Sequence, residues 1–160
     1  MNKALSIIFS LFSVSVYAED CVFDVEEQKK YVSEYLAKNQ ESHLSDDGFY
    51  ITIPRGEEII TFGRGGCVHF GIQVNSEISR DKPFTEQEFF EKVVAYVTEF
   101  GSELVKKETI VNSIESRSYS TEVSNNRTYY YFSAPEVVGF EASLHYENAR
   151  SFVYVSFYIN

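Results

Sequence analysis

Tryptophan is absent from this chain, and cysteine, proline and histidine are scarce, at two, three and three residues. The prolines (Pro54, Pro83 and Pro135) each mark an apparent element boundary and build no linker. Without a low-complexity tract or a repeat of fixed period, a solenoid or a string of domains is excluded. Metal motifs are missing as well. The two cysteines lack CxxC spacing, and His43, His69 and His145 form neither HxH nor HExxH. The Asp46-Asp47-Gly48 stretch lacks the spaced oxygen ligands of a calcium loop. No G-x-S-x-G elbow supports a nucleophilic serine. The one glycine-rich segment, Gly63-Arg64-Gly65-Gly66, runs into Cys67 and a strand pattern, whereas a phosphate loop opens a helix with Lys and Ser or Thr. We therefore expect no cofactor and no metal, and assign no catalytic residue.

Long apolar runs are missing too, apart from one at the N-terminus. Met1-Asn2-Lys3 is followed by an apolar stretch from Ala4 to about Val14 and then by Ser15-Val16-Tyr17-Ala18. A short basic start, a greasy middle and small residues before a cut describe a secretory signal peptide over residues 1–18. The stretch is shorter than the roughly 20 residues a spanning helix needs. No lipobox-type Leu precedes Cys21, so no lipid anchor is expected. The mature chain is expected to begin near Glu19, as one α+β domain over 19–160, in a bacterial periplasmic or secreted setting without membrane insertion. In such an oxidising compartment Cys21 and Cys67 are expected to pair. That bond would stabilise the fold by roughly 4 kcal/mol on the chain-entropy view.

What the chain does have is acid and aromatics. Its formal charge is −10, one unit lower once Lys3 leaves with the leader. This balance opposes nucleic acid and anionic membranes as partners and favours a basic protein, an enzyme or toxin. Fourteen Phe and twelve Tyr supply core mass, and the Tyr hydroxyls let a sheet carry rings toward water.

Along the chain, Asp24 and Glu27 suggest a capping box opening a helix from about Val25 to Lys38, with Val32, Tyr35 and Leu36 inward and Asn39 as C-cap. Asp46-Asp47-Gly48 reads as a turn, followed by strands over 49–53, 59–62 and 67–74, with turns at Arg55-Gly56 and Gly63–Gly66. Phe84, Thr85, Glu88 and Phe89 combine a hydrophobic staple with a capping box. The helix they open carries Phe89, Val93, Val97 (or Tyr96), Phe100 and Leu104 at helical spacing, with Gly101 ending or bending it. Beyond Glu108 the pattern predicts only strands, over 109–117, 128–133, 138–146 and 151–159, with turns at 124–127 and 147–150. The expected fold class is α+β: an antiparallel sheet of several strands with two helices, the second packed on one sheet face, and one disulfide.

Candidate contact residues follow from this layout. Asp46, Asp47, Glu57 and Glu58 sit beside hairpin ends, where carboxylates project, and Arg64 sits at the tip of the glycine-rich loop. In the run Tyr129-Tyr130-Tyr131-Phe132 alternate rings share a face, so Tyr129 and Tyr131 form one platform, extended by Tyr154 and Tyr158 across the sheet. His69 and His145 could meet across the sheet as a general base and its partner, although strand histidines at a sheet surface explain both more simply. Asn126-Arg127-Thr128 matches a glycosylation sequon, which a bacterial leader makes irrelevant.

A small, exported, acidic chain without catalytic motifs is expected to be a binding protein. The leading reading is an inhibitor or immunity protein that blocks a cationic cell-wall-degrading or toxic enzyme. In general character it is similar to small periplasmic lysozyme inhibitors and toxin-immunity proteins. One alternative is a ligand carrier or enzyme with a pocket between curved sheet and helix, which resembles nuclear-transport-factor-2-like folds in outline. The other is an envelope assembly factor gripping a partner through the serine-rich strand near Tyr119. Export is directly testable. The protein recovered from envelope fractions should begin near Glu19 and show no alkylatable thiol before reduction and two after it. Uncut chain with free thiols in the cytoplasm contradicts the reading.

Overall fold

The computed structural model describes residues 25–38, 41–65, 70–134 and 137–159. In chain order the elements are α1 (Val25–Lys38), β1 (His43–Leu44), β2 (Tyr50–Arg55), β3 (Glu58–Gly65), β4 (Phe70–Ser79), α2 (Glu86–Phe100), α3 (Lys107–Glu115), β5 (Tyr119–Ser124), β6 (Arg127–Ala134), β7 (Val137–Glu147) and β8 (Arg150–Ile159). All eight strands form one antiparallel sheet in the order β1-β2-β3-β4-β8-β7-β6-β5. Two four-strand meanders thus meet along a single seam, β4 against β8, where Val74 faces Val155.

Local chemistry sets the turns. Asn125 and Asn126, and Asn148 and Ala149, have φ between 51° and 60°, so each two-residue hairpin turns through left-handed backbone that matches strand twist. Asn tolerates that conformation, whereas Ala149 must be held in it. The capping box at the start of α2 is complete: Thr85 Oγ1 accepts from the Glu88 N–H at 3.3 Å, and the Thr85 N–H donates to Glu88 Oε2 at 2.7 Å. Gly101 ends α2 where a Cβ would lie 2.4 Å from the Phe157 ring, so only glycine allows this approach to β8.

The three helices cover one face of the sheet. Phe89 of α2 lies 5.0 Å from the Tyr130 ring on β6, and Phe100 at its other end stacks at 4.8 Å on Phe62 of β3. α2 therefore bridges the two meanders across their seam. Tyr31 and Tyr35 of α1 pack on Phe62 from the other side. Ile60, Val74, Val93, Val155 and Phe157 complete a fully buried interior between helices and sheet.

The described residues are mostly antiparallel sheet with helices on one face, roughly the expected α+β class, and α1, α2 with its cap, and the strands near 50, 60, 130, 140 and 155 hold. Two expectations change, and one strand is new. Residues 109–115 belong to helix α3, not a strand, so the described residues hold three helices rather than the two expected. Its β-branched Thr109-Ile110-Val111 imitates a strand, but burial of Ile110 and Ser113, with Ile114 half-buried, follows helical spacing. Gly63, Arg64 and Gly65 do not break the chain; they continue β3 and pair with Gln73, Ile72 and Gly71. The short edge strand β1 pairs with β2, which no sequence pattern predicted. Cys21, Cys67 and their expected disulfide, His69, Asp24 and Asn39 lie outside the described residues.

Phe62 joins α1, α2 and the sheet with no exposed surface. Truncation by Phe62→Ala should cost about 3–5 kcal/mol in urea unfolding, against under about 0.5 kcal/mol for Val123→Ala on the surface.

Candidate functional site

Because the helices share one side, the other side of the sheet is bare of helix among the described residues. Strand alternation sends every second residue there, and the ladder registers align them in three rows. The first row runs Tyr50, Gly63, Gln73, Ser156, Glu141, Tyr131, Ser120. The second runs Thr52, Thr61, Asn75, Tyr154, Ser143, Tyr129, Glu122. The third runs Ile59, Glu77, Phe152, His145, Arg127, Ser124. It is a face of rings among small polar groups, with few aliphatics.

Tyr129 and Tyr131 lie parallel, 5° apart in plane and 6.3 Å between centroids, and the Arg127 guanidinium lies 5.9 Å from the Tyr129 ring. The expected platform is thus present on β6. Glu122 and Glu141, beside Tyr131, add to partial desolvation in raising its phenol above the ordinary value. Tyr158 lies against Gly71 and Gly139, and Tyr50 covers Gly63, where a Cβ would come within 2.6 Å of the ring. Absent side chains therefore let these rings lie flat on the sheet. Between the rows, a recess of about 230 Å³ is walled by Thr61, Asn75, Arg127, Phe152 and Tyr154.

His145 belongs to this face as a strut. Its Nδ1 lies 2.9 Å from the Asn126 carbonyl oxygen and its Nε2 3.2 Å from Glu147 Oε2. The carbonyl contact first, and Glu147 second, raise its pKa. Both ring nitrogens are engaged within the fold, which ties the β5–β6 turn to β7.

The other sequence-predicted contact residues do not converge on the platform. Asp46 and Asp47 occupy the β1–β2 turn, five strand spacings or about 24 Å from β6. Asp47 accepts from Ser45 Oγ at 2.6 Å and from the Phe49 N–H at 3.0 Å, bonds that hold its carboxyl below the usual range and shape the turn. Glu57 is exposed in the β2–β3 turn, at the opposite end of β2. Glu58 does not project freely. It faces the helices, accepts from Lys92 at 3.0 Å and Ser76 at 2.9 Å, and accepts from the Tyr96 hydroxyl. Arg64 is not at a loop tip. Its guanidinium covers the Tyr31 ring at 3.8 Å and donates to Glu103 at 3.1 Å. On β8 the alternation of Phe152, Tyr154, Ser156 and Tyr158 marks this side from sequence alone, whereas Tyr50 and the alignment of the rows were not read there, because register decides which strands align.

Between helices and sheet, Phe62, Phe89, Val93 and Phe100 fill the space where a carrier would need its pocket. Among the described residues no group of three or more His, Cys, Asp or Glu could hold a metal ion, and no helix is long and apolar enough to cross a membrane.

The Glu58 cluster has a partner in Glu99, which binds Arg55 and accepts from Tyr35 at 2.7 Å. Burial pushes the Glu58 carboxyl up, but the bonds from Tyr96, Lys92 and Ser76 outweigh it and hold the value low. Arg55 lowers Glu99 against a smaller burial effect. Carboxylates with depressed folded values contribute stability that is present above the unfolded value, about 4.3 for Glu, and lost as pH falls through the folded ones. Stability should therefore fall steeply below about pH 4. Glu58→Gln should cost about 1–3 kcal/mol at pH 7 and make that acid limb shallower, measured by urea midpoints across pH. No protein family, curated protein or solved structure matches this chain.

Proposed function

We propose that the protein is an exported binding protein, an inhibitor or immunity protein that blocks a cationic cell-wall-degrading or toxic enzyme, and that the helix-free sheet face makes the contact. The observation that carries this reading is the stacked pair Tyr129 and Tyr131 on a rigid strand, flanked by Glu122 and Glu141. Tyrosines anchor interfaces well because a large ring is buried at the cost of few rotors. A strand fixed in an eight-stranded sheet loses little further entropy on binding. The flanking carboxylates and the net charge of −10 attract a basic enzyme and speed its encounter. Exposed Tyr131, Tyr158 and Ile59 give the face apolar contact area without a core-like patch. Asp46, Asp47 and Glu57 then act through long-range attraction, away from the contact itself.

Immobilised mature chain, exposed to envelope and secreted extracts, should retain a basic hydrolase or toxin at low salt and inhibit it. Tyr131→Ala should weaken binding by about 30-fold, the cost of a typical aromatic anchor. Glu141→Lys should lower the association rate and flatten its salt dependence. Retention of the same enzyme with unchanged affinity by Tyr131→Ala and Glu141→Lys overturns the assignment of this face. Failure to retain any protein overturns the binding role.

A further inference from the structure

The sheet has two edges of unequal kind. β1 offers two residues, whereas β5 offers six, Tyr119–Ser124. The two-residue turn at Asn125-Asn126 makes Ser124 and Arg127 a hydrogen-bonded pair. At the other end the Ser133 N–H donates to the Ser118 carbonyl at 2.9 Å, which fixes the same alternation. Even-numbered residues of β5 thus direct their backbone groups to β6. Tyr119, Thr121 and Val123 direct N–H and C=O outward, where no further strand lies among the described residues. Exposed edges are commonly guarded by lysine, proline or a bulge. β5 has none of these, and its register against β6 is unbroken.

Alongside this edge, α2 and α3 leave a groove of about 350 Å³ whose apolar lining includes Phe90, Val94, Ile114 and Tyr119. Its rim carries Glu86, Glu91 and Glu115 against a single cation, Arg117. Tyr119 belongs to both groove and edge, so the two features are continuous. On the opposite side of β5 the charged residue is Glu122.

We propose that the β5 edge and the α2–α3 groove together bind an extended peptide segment with alternating apolar and basic side chains. Its backbone pairs with Tyr119, Thr121 and Val123 as an added strand. Its apolar side chains turn toward the groove, its basic ones lie beside Glu122, and its positive charge is drawn by Glu86, Glu91 and Glu115. A second copy of this chain suits the edge poorly, since it brings another Glu122 and another acidic rim. The site shares Glu122 with the tyrosine face but makes no use of Tyr129 or Tyr131.

An amidated eight-residue peptide alternating lysine with valine is the probe, added to the full mature chain at low salt. Saturable binding is expected, with slowed exchange at the Tyr119, Thr121 and Val123 amides. One central N-methyl group on the peptide should weaken it about tenfold, the worth of one well-placed hydrogen bond. Glutamate in place of lysine should abolish binding. Thr121→Pro removes an outward N–H that β6 does not use, and should lower affinity by a similar factor at an unchanged unfolding midpoint. Val123→Lys should do the same if proline disturbs the strand. Tyr131→Ala should leave peptide affinity unchanged. Absence of saturable binding, equal affinity for the N-methylated peptide, or protection confined to other strands overturns the proposal.

Discussion

The pairing of β4 with β8 is the constraint on which the rest of the structure depends. Each meander is built from short-range hairpins, but among the described residues only this ladder joins opposite halves of the chain, Phe70–Ser79 with Arg150–Ile159. It places Ile72, Val74, Val153, Val155 and Phe157 in one continuous floor beneath α2. By the same alternation it sets Gln73 and Asn75 beside Tyr154 and Ser156 on the opposite face. A slip of one residue along this seam would exchange the two faces of one meander, burying polar groups and exposing Phe157. Core and surface are therefore specified by one register.

The helix side reinforces that choice with polar clamps at its margin. Glu58 of β3 holds Lys92 and Tyr96 of α2, and Glu99 near the end of α2 ties Arg55 of β2 to Tyr35 of α1. Both carboxylates are partly sheltered, so their bonds outweigh those of fully exposed ion pairs. They fix the direction in which α2 crosses the sheet. With its helices committed to one side, the molecule presents Tyr50, Tyr129, Tyr131, Tyr154 and Tyr158 on the other as a preformed surface.

Much of this was legible in the residues, and the misses have physical causes. The cap of α2 was readable because Phe84, Thr85, Glu88 and Phe89 encode it within six positions. The pairing of Tyr129 with Tyr131 followed from strand period alone. α3 was misread because Thr109, Ile110 and Val111 favour strands intrinsically, while the burial that makes them helical comes from distant β6. Glu58 was misplaced for a related reason. Its neighbours in sequence are a turn, yet its partners sit on α2. Gly63 and Gly65 resembled a loop since nothing local reveals that Tyr50 and Gln28 occupy the space their side chains would need. What local chemistry decides was visible; what register and tertiary contact decide was not.

Two surfaces emerge from one sheet: a face of rings with carboxylates beside them, and an unguarded edge next to an apolar groove. The face carries the account's central claim, that a basic protein partner docks on the helix-free side. The most direct measurement is amide hydrogen exchange of the mature chain, free and bound to whichever basic enzyme the immobilised chain retains. The account predicts that protection gained on binding concentrates in β6, β7 and β8 around Tyr129, Tyr131 and Tyr154. Protection gained only along α1, α2 and α3, with those strands unchanged, contradicts it.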